Sequence, residues 1–560
     1  MKSNPNRIEK RASHDALFRI LGDAADKLII FVLLVCICLF VLYPILCIFR
    51  QSVIGKDGVS LGAYAEVWAG YRTSLWNSLF TGVLTAFFCT LLSVATALVI
   101  SSSRGTVKLL LMGILLITMV SPPFVSSLAY IQLYGRRGWI TYRLLGITWN
   151  PYNCWGVIWM QSISFVPMNA LFLSGILTKI DAASIQAARD LGAGPKNILL
   201  DVVLPLIRPG ILVTVLLTFV RSIADFGTPT IIGGRFNTLA SDIYLQLTGY
   251  SNLEKASAMN IFLLLPAMLA FFYYRRQMAK ANQGGSARVA QTYPTLRLRR
   301  SGVLGWVAVL SGAAFFVMMS MQYIVIFITG FLNRSGGSYA LTTKNLESLM
   351  RLNGQMFIRS IVYALIVAFA GTLFAMLFAY YMDRKKVRGH HFFDSLASFP
   401  YLIPGTCWGI GYILAFNSEP LRLTGTAIIV LVNMMFKQLP TTTKICSAAL
   451  TQIHPSLERA ARDMGGGQGA VIRDVILPNM KQAFFSCFTY HFSSSMTSAG
   501  AIIFLIDPSR KLAVFQLFDA VYSGEYATAS LIASLIIVMV VIAEGGMYLI
   551  TGKERKRRVS

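Results

Sequence analysis

The sequence predicts an all-α polytopic membrane protein, with about 12 transmembrane helices in two parallel-oriented six-helix halves. Three observations carry this. Of 560 residues, 55% are apolar and only 13% are charged, well below the roughly 25% charged of soluble domains. Several nearly uncharged runs reach the ~20 residues that cross a bilayer as a helix. One polar stretch occurs twice: Gln186 to Pro205 returns as Arg459 to Pro478, 273 residues later, with ten of twenty positions identical. A polar segment repeated in register inside a hydrophobic chain points to one docking element presented twice by a duplicated membrane domain.

Residues 1–26 form a basic lead, with Lys2, Arg7, Lys10, Arg11 and Arg19. The first half covers 27–274, its core about 72–274, with spans expected near 28–49, 75–101, 108–131, 152–177, 208–233 and 257–274. The first span is too long for a signal-peptide core and lacks a small-residue cleavage site, so an anchor is expected. A polar linker with Gly and Ser follows at 275–301. The second half covers 302–551, its core about 355–551, with spans near 303–332, 356–382, 393–416, 424–447, 482–506 and 527–550. A basic tail, 552–560, closes the chain.

An even number of spans per half gives both halves the same orientation. The net charge of +26 sits mostly between spans, which fits the positive-inside bias and attraction to anionic lipids, with no nucleic acid required. The termini, linker and both repeated segments are therefore expected in the cytoplasm. Arg136, Arg137 and Arg143 run against that scheme. The eight cysteines lie in or beside apolar runs without metal-ligand spacing and read as small buried hydrophobes. No metal site is expected.

Each repeat opens with small residues, Ala187-Ala188 or Ala460-Ala461, which allow close approach of a partner surface. Gly192 or Gly465 then permits a turn at the helix end. Leu204-Pro205 and Leu477-Pro478 are expected to stop the segment before the chain re-enters the membrane. The product is a helix–turn–helix knob. At the same offset Pro167 pairs with Pro440, and Pro122 and Pro123 have Pro400 and Pro404 as counterparts. Helices interrupted at matching positions point to a translocation pathway, with packing geometry alone as the alternative.

These residues resemble the integral membrane subunits of binding-protein-dependent ABC importers. Their pattern is Glu-Ala-Ala, three residues, Gly, nine residues, Ile, one residue, Leu-Pro. The chain has Gln186-Ala187-Ala188, Asp190, Gly192, Val202 and Leu204-Pro205, then Arg459-Ala460-Ala461, Asp463, Gly465, Val475 and Leu477-Pro478. The leading Glu is replaced by Gln186 and Arg459, although Glu458 stands one residue earlier. The resemblance implies that both segments are coupling helices seated on separate ABC ATPase subunits, two copies in all. It also implies an extracytoplasmic solute-binding protein and a bacterial inner-membrane location. No Gly-x-x-x-x-Gly-Lys-Ser/Thr stretch occurs, so the chain is read as no enzyme, without a cofactor, and ATP is hydrolysed by its partner.

Ionisable residues within spans mark candidate pathway positions. Arg221 and Asp225 lie four apart, a spacing at which they pair with each other or face the path. Lys437 and His491 sit near mid-span, with Ser164 and Thr218 at the duplicate positions. Lys437 has backbone carbonyls as an alternative partner, and Glu544 reads as an interface residue. This tally leans cationic and favours an anion or a metal–anion complex over a bare cation.

The fused organisation and the string Ala224-Asp225-Phe226-Gly227-Thr228-Pro229 resemble ferric-iron-type permeases, which makes ferric iron the expected solute. Permeases for aminoethylphosphonate, phosphorylated sugars and thiamine are similar alternatives. A secondary transporter independent of any ATPase would need carboxylates deep in the spans, where Asp225 is the obvious one, and would leave the repeat unexplained.

Overall fold

A computed structural model describes residues 24–283 and 302–559, apart from 56, 57, 179, 181, 336, 337, 402, 508 and 509. The basic lead before residue 24 and the linker beyond 283 lie outside the described residues. Within them the chain is helical except for two small antiparallel hairpins, β1 (Ile54–Gly55) with β2 (Gly58–Val59), and β3 (Leu332–Ser335) with β4 (Ser338–Leu341).

Eight helices are long and apolar enough to cross a membrane: α1 (Ala24–Val53), α2 (Gly62–Ser102), α5 (Cys154–Leu177), α7 (Pro195–Ala224), α10 (Leu253–Gln283), α11 (Gly302–Gly330), α12 (Lys344–Ala379, continued by a wide turn to Arg384) and α19 (Tyr526–Val559). Two sharply bent pairs raise the number to ten. These are α3 (Gly105–Val120) with α4 (Phe124–Tyr134), bent by 109°, and α13 (His390–Ser398) with α14 (Gly405–Phe416), bent by 114°. Against the expectation of about twelve spans, eight helices, or ten with the bent pairs, meet the length and apolarity of a crossing among the described residues. The shortfall has a physical cause. Helix α15 (Ala427–Leu450) is long but carries Lys437 and Lys444, and α17 (Lys481–Thr497) has only 17 residues. The bends fall at the proline pairs: Pro122 and Pro123 deny the ladder two donors, and Pro400 and Pro404 flank the second break. Pro167 and Pro440 leave α5 and α15 continuous.

The duplication is visible in the helix boundaries. Cys154 and Ala427, Leu177 and Leu450, and Ala224 and Thr497 each begin or end equivalent helices 273 residues apart. The short helices α6 (Ala182–Asp190) and α16 (Pro455–Asp463) keep the same interval. In each half a trio forms the centre, α2 with α5 and α7, and α12 with α15 and α17.

The first helix of each half leaves its own trio. Helix α1 packs on α14 and α10, its Leu33, Ile37, Val41 and Ile48 sharing a core with Trp408, Tyr412 and Phe436. Tyr412 donates to the Phe40 carbonyl at 2.7 Å, and Asp26 receives Tyr381 at 2.6 Å and pairs with Lys385. Reciprocally, α11 packs on α2 and α4 as well as on α19 of its own half, with Phe315, Phe316 and Met319 against Cys89, Ile100 and Leu115. Each half is thereby strapped by the other's leading helix.

Candidate functional site

Helices α6 and α16 end in the same way. Gly192 and Gly465 take φ of +84° and +86°, a left-handed conformation that side chains with a Cβ resist. Gly192 N–H donates to the Arg189 carbonyl and Ala193 N–H to that of Ala188, both at 2.9 Å. Gly465 to Arg462 and Gly466 to Ala461 repeat those bonds at 2.9 Å. This pair of bonds is a Schellman cap, which satisfies carbonyls that a helix end otherwise leaves open.

The turn leads into α7 at Pro195, and into Gln468–Ala470 in the second copy. Leu204-Pro205 does not stop the first segment. Helix α7 runs through it, because a π-helical turn over Ile198–Val203 widens the backbone just before the proline. A matching wide turn spans Val471–Ile476, and there the helix breaks at Met480, two residues past Pro478.

Gln186, Ala187, Asp190, Arg459, Ala460, Asp463, Pro205 and Pro478 are exposed, and Ala188, Ala461, Leu204 and Leu477 are half-buried. At the tips stand Leu191, 88% exposed, and Met464, 83% exposed, again 273 apart. Sequence reasoning passed over both. Their signal was an apolar residue between Asp and Gly in each repeat.

The knobs are fastened by different chemistry. Ile185 plugs the first into an apolar cluster with Leu98, Leu177, Ile198 and Val203. The equivalent residue is Glu458, whose carboxylate receives Arg384 Nε at 2.6 Å, while Arg384 also reaches the Ile453 carbonyl at 2.6 Å. Gln468 donates to the Tyr380 hydroxyl at 2.6 Å beside them. Glu458 therefore faces inward and mounts the knob on the end of α12.

Between the two halves lies a cavity of about 780 Å³. Its lining comes from both breaks, at Ser121–Pro123 and at Pro400–Gly405, and from equivalent positions of the trios. Ser164 and Lys437, Phe165 and Gln438, Met168 and Thr441, Leu217 and Tyr490, Val220 and Ser493, Arg221 and Ser494, and Ala224 and Thr497 are all lining pairs 273 apart. The two walls differ: the second half presents ammonium, amide and hydroxyl groups where the first is largely apolar.

Arg221, Asp225 and Lys437 are brought together in this lining, but Arg221 and Asp225 do not pair. Helix α7 ends at Ala224, so Asp225 has left the helix and caps the next one, α8 (Gly227–Ile232). It accepts Gly227 N–H at 3.0 Å, Thr228 N–H at 3.2 Å and Gln161 Nε2 at 3.0 Å. Gln161 in turn receives Ser222 and Thr85. Lys437 donates to the carbonyls of Pro400 at 3.1 Å and Ile403 at 2.7 Å, groups freed by the broken helix, with Trp408 alongside. His491 is fully buried and absent from the lining; its ring lies against Gly371 of α12. Glu544 does line the cavity and receives Ser493 at 2.7 Å.

Past Asp225, at the end of α7 remote from the knob, aromatic rings of both halves meet. Phe124, Phe226 and Tyr244 interlock with Phe504 and Phe518 at centroid distances of 4.7–6.5 Å. Among the described residues no three of His, Cys, Asp or Glu converge as a metal-binding group.

Duplicated trios around a central cavity, two protruding knobs and broken helices beside them define a membrane transport subunit. The family model of the binding-protein-dependent transport system inner membrane component matches residues 89–282 and 371–556. The chain belongs to that family and is an ABC-importer permease subunit that forms a membrane-spanning pathway. It is 29% identical over 541 residues, 92% of this chain and 77% of the relative, to the ferric transport system permease protein FbpB of Actinobacillus pleuropneumoniae. It is 30% identical over 509 residues, 86% of this chain and 78% of the relative, to a Haemophilus influenzae protein provisionally named for ferric transport. The molybdenum transport system permease protein ModB of Mycobacterium bovis is 32% identical over 204 residues, 35% of this chain and 76% of the relative.

Proposed function

We propose that the two knobs are coupling helices, each seated in one of two ATPase subunits, and that the chain imports a ferric-iron-type solute delivered by an extracytoplasmic binding protein. The observation that supports coupling most directly is the pair Leu191 and Met464, two large apolar side chains held in solvent by identical caps. Exposed apolar tips on a rigid support suit insertion into a cleft of a partner. On this reading Gln186, Ala187, Ala188, Arg459, Ala460 and Ala461 face the ATPase, and Gly192 and Gly465 set the tip.

The spans number twelve if α15 and α17 also cross the bilayer, shielded by their neighbours. The termini and both knobs then lie in the cytoplasm of a bacterial inner membrane. Closure of the ATPases would rock the trios and part the aromatic cluster while the cavity empties inward. The ferric assignment is supported by two relatives that bear ferric names and match most of this chain. An organic anion such as a phosphonate or sugar phosphate is the second reading, favoured by the polar wall of the cavity.

Purification from native membranes tests coupling. The wild-type chain should bring vanadate-sensitive ATP hydrolysis with it, and a Leu191→Glu/Met464→Glu variant, still inserted in the membrane, should lose at least about tenfold of that activity, the equivalent of roughly 1.4 kcal/mol. Wild-type protein free of any ATPase, yet active in uptake, would sink the proposal.

A further inference from the structure

The cavity lining holds four acidic or basic side chains, Arg221, Asp225, Lys437 and Glu544, and their hydrogen bonds are unequally spent. Asp225 is engaged by the wall, accepting three bonds from Gly227, Thr228 and Gln161, whereas Glu544 accepts one, from Ser493, and keeps acceptor capacity toward the cavity it lines. The cations are not used up in the same way. Lys437 gives two of its three N–H donors to carbonyls. Arg221 donates no hydrogen bond and makes no ion pair among the described residues, although it lines the cavity and is half-buried. A guanidinium carries five N–H donors in a planar fork matched to carboxylate and phosphate oxygens.

The rest of the second-half wall adds hydroxyl and amide groups. Tyr490 lies 3.2 Å from Gln438 Oε1 and 3.1 Å from Thr441 Oγ1, an arrangement that leaves the Gln438 amide hydrogens for the cavity. Ser494 stands at the position equivalent to Arg221. The site thus turns Asp225 into the wall and offers the donors of Arg221, Gln438 and Ser494 to the interior, with Glu544 the one charged acceptor that keeps capacity there. Its volume of about 780 Å³ holds on the order of 25 waters at ~30 Å³ each, and falls within the ~300–1,000 Å³ of small-molecule pockets. It is a chamber for a many-atom solute, lined without a convergent set of metal ligands among the described residues.

We propose that this cavity is an oxyanion site, in which the species in transit presents carboxylate or phosphate-type oxygens to Arg221 and to the Gln438–Tyr490–Ser494 wall. The inference rests on the permease reading and names the chemistry of its cargo. Two sources supply that chemistry: a free organic or phosphate anion, or the outer oxygens of a ferric ion already wrapped in an anionic chelator. In the second case iron crosses without ever being ligated by the protein.

The test is equilibrium binding to the purified full-length chain with its ATPase in nanodiscs. The probes are ferric citrate, citrate alone, inorganic phosphate and, as an inert multivalent cation, cobalt hexammine. The wild type should bind at least one of the three anionic probes and not the hexammine. Ferric citrate alone among the anions identifies a wrapped metal, and citrate or phosphate identifies a free anion. Arg221→Ala should weaken that binding about tenfold or more, the scale of one lost charge-assisted pair, and Arg221→Lys should recover only part of that loss, because the charge remains but the planar fork does not. Hexammine bound in place of the anions, or an Arg221→Ala complex that assembles, hydrolyses ATP and binds anions like wild type, overturns the oxyanion assignment alone. Failure to recover any ATPase with the chain overturns the permease coupling beneath it.

Discussion

At the scale of single residues, Glu458 carries the strongest energetic argument. Its side chain is 9% exposed and that of Arg384 18%, so removal of Arg384 leaves a largely buried charge with only the longer contacts to Arg462 at 3.9 Å and Tyr380 at 3.5 Å. Arg384→Ala should cost about 3 kcal/mol, read as a lower unfolding midpoint of the detergent-solubilised protein. The double variant Arg384→Ala/Glu458→Ala should recover much of that loss, because no orphan charge is left. A second prediction concerns Gly192 and Gly465, where a Cβ meets nothing within 4 Å and only backbone conformation is at stake. Alanine there should cost roughly 1–2 kcal/mol, seen as about tenfold faster hydrogen exchange at the knob amides. Gly194→Ala, at φ −68°, should exchange as wild type does. Such positions show what sequence renders legible. Two aligned glycines announced a turn, and the backbone angle agrees. The spacing of Arg221 and Asp225 misled, because four residues make one helical turn only while the helix lasts, and α7 ends between them. Glu458 was visible as an acid one place out of register, but only its burial shows that it faces Arg384.

At the scale of elements, the break between α7 and α8 is held by Asp225 and Gln161. Asp225→Ala removes the cap and strands a buried amide, together about 3 kcal/mol, and should destabilise the fold in a thermal melt. Asp225→Asn keeps an oxygen for Gly227 and Thr228 and should restore most of the loss. The broken helices at Pro122-Pro123 and Pro400–Pro404 were readable because adjacent or closely spaced prolines leave an apolar run no regular continuation. Leu204-Pro205 was not, since a proline preceded by a π-turn is accommodated instead of ending the helix. The conditions that create that turn lie in packing of Ile198, Leu199 and Val203 against α2 and α5, which no local pattern encodes. Helix α15, by contrast, was legible as a helical run near 424–447 despite its lysines. Lys437 lowers its apolarity, yet the ammonium is satisfied by carbonyls that a different helix exposes.

At the scale of the whole molecule, the exchanged leading helices make the two halves interdependent. A chain cut between Ala290 and Gln291 should yield two fragments that co-purify when expressed together. The fragment that begins at Gln291, expressed alone, should be degraded or aggregate, because α1 no longer covers Trp408, Tyr412 and Phe436. Stable second-half fragment in the absence of the first would contradict that packing. The doubling of the molecule was legible from one repeated polar segment, and its 273-residue interval recurs in helix ends and cavity walls alike. Which half each leading helix covers was not, because α1 and α11 are apolar around most of their surface and carry no mark of their partner.

The different mounts of the knobs have a mechanical consequence. Two copies of one chain would carry identical knobs, whereas here one knob is seated on an apolar cluster and the other on a bolted ionic joint. An apolar mount yields to small sliding motions, while the joint between Glu458 and Arg384 would, on the proposed coupling, pass a push directly to the end of α12. On the coupling proposed above, the same stroke delivered at both sockets would be converted into unequal displacement, with the stiffer arm on the side whose wall carries the polar groups of the cavity.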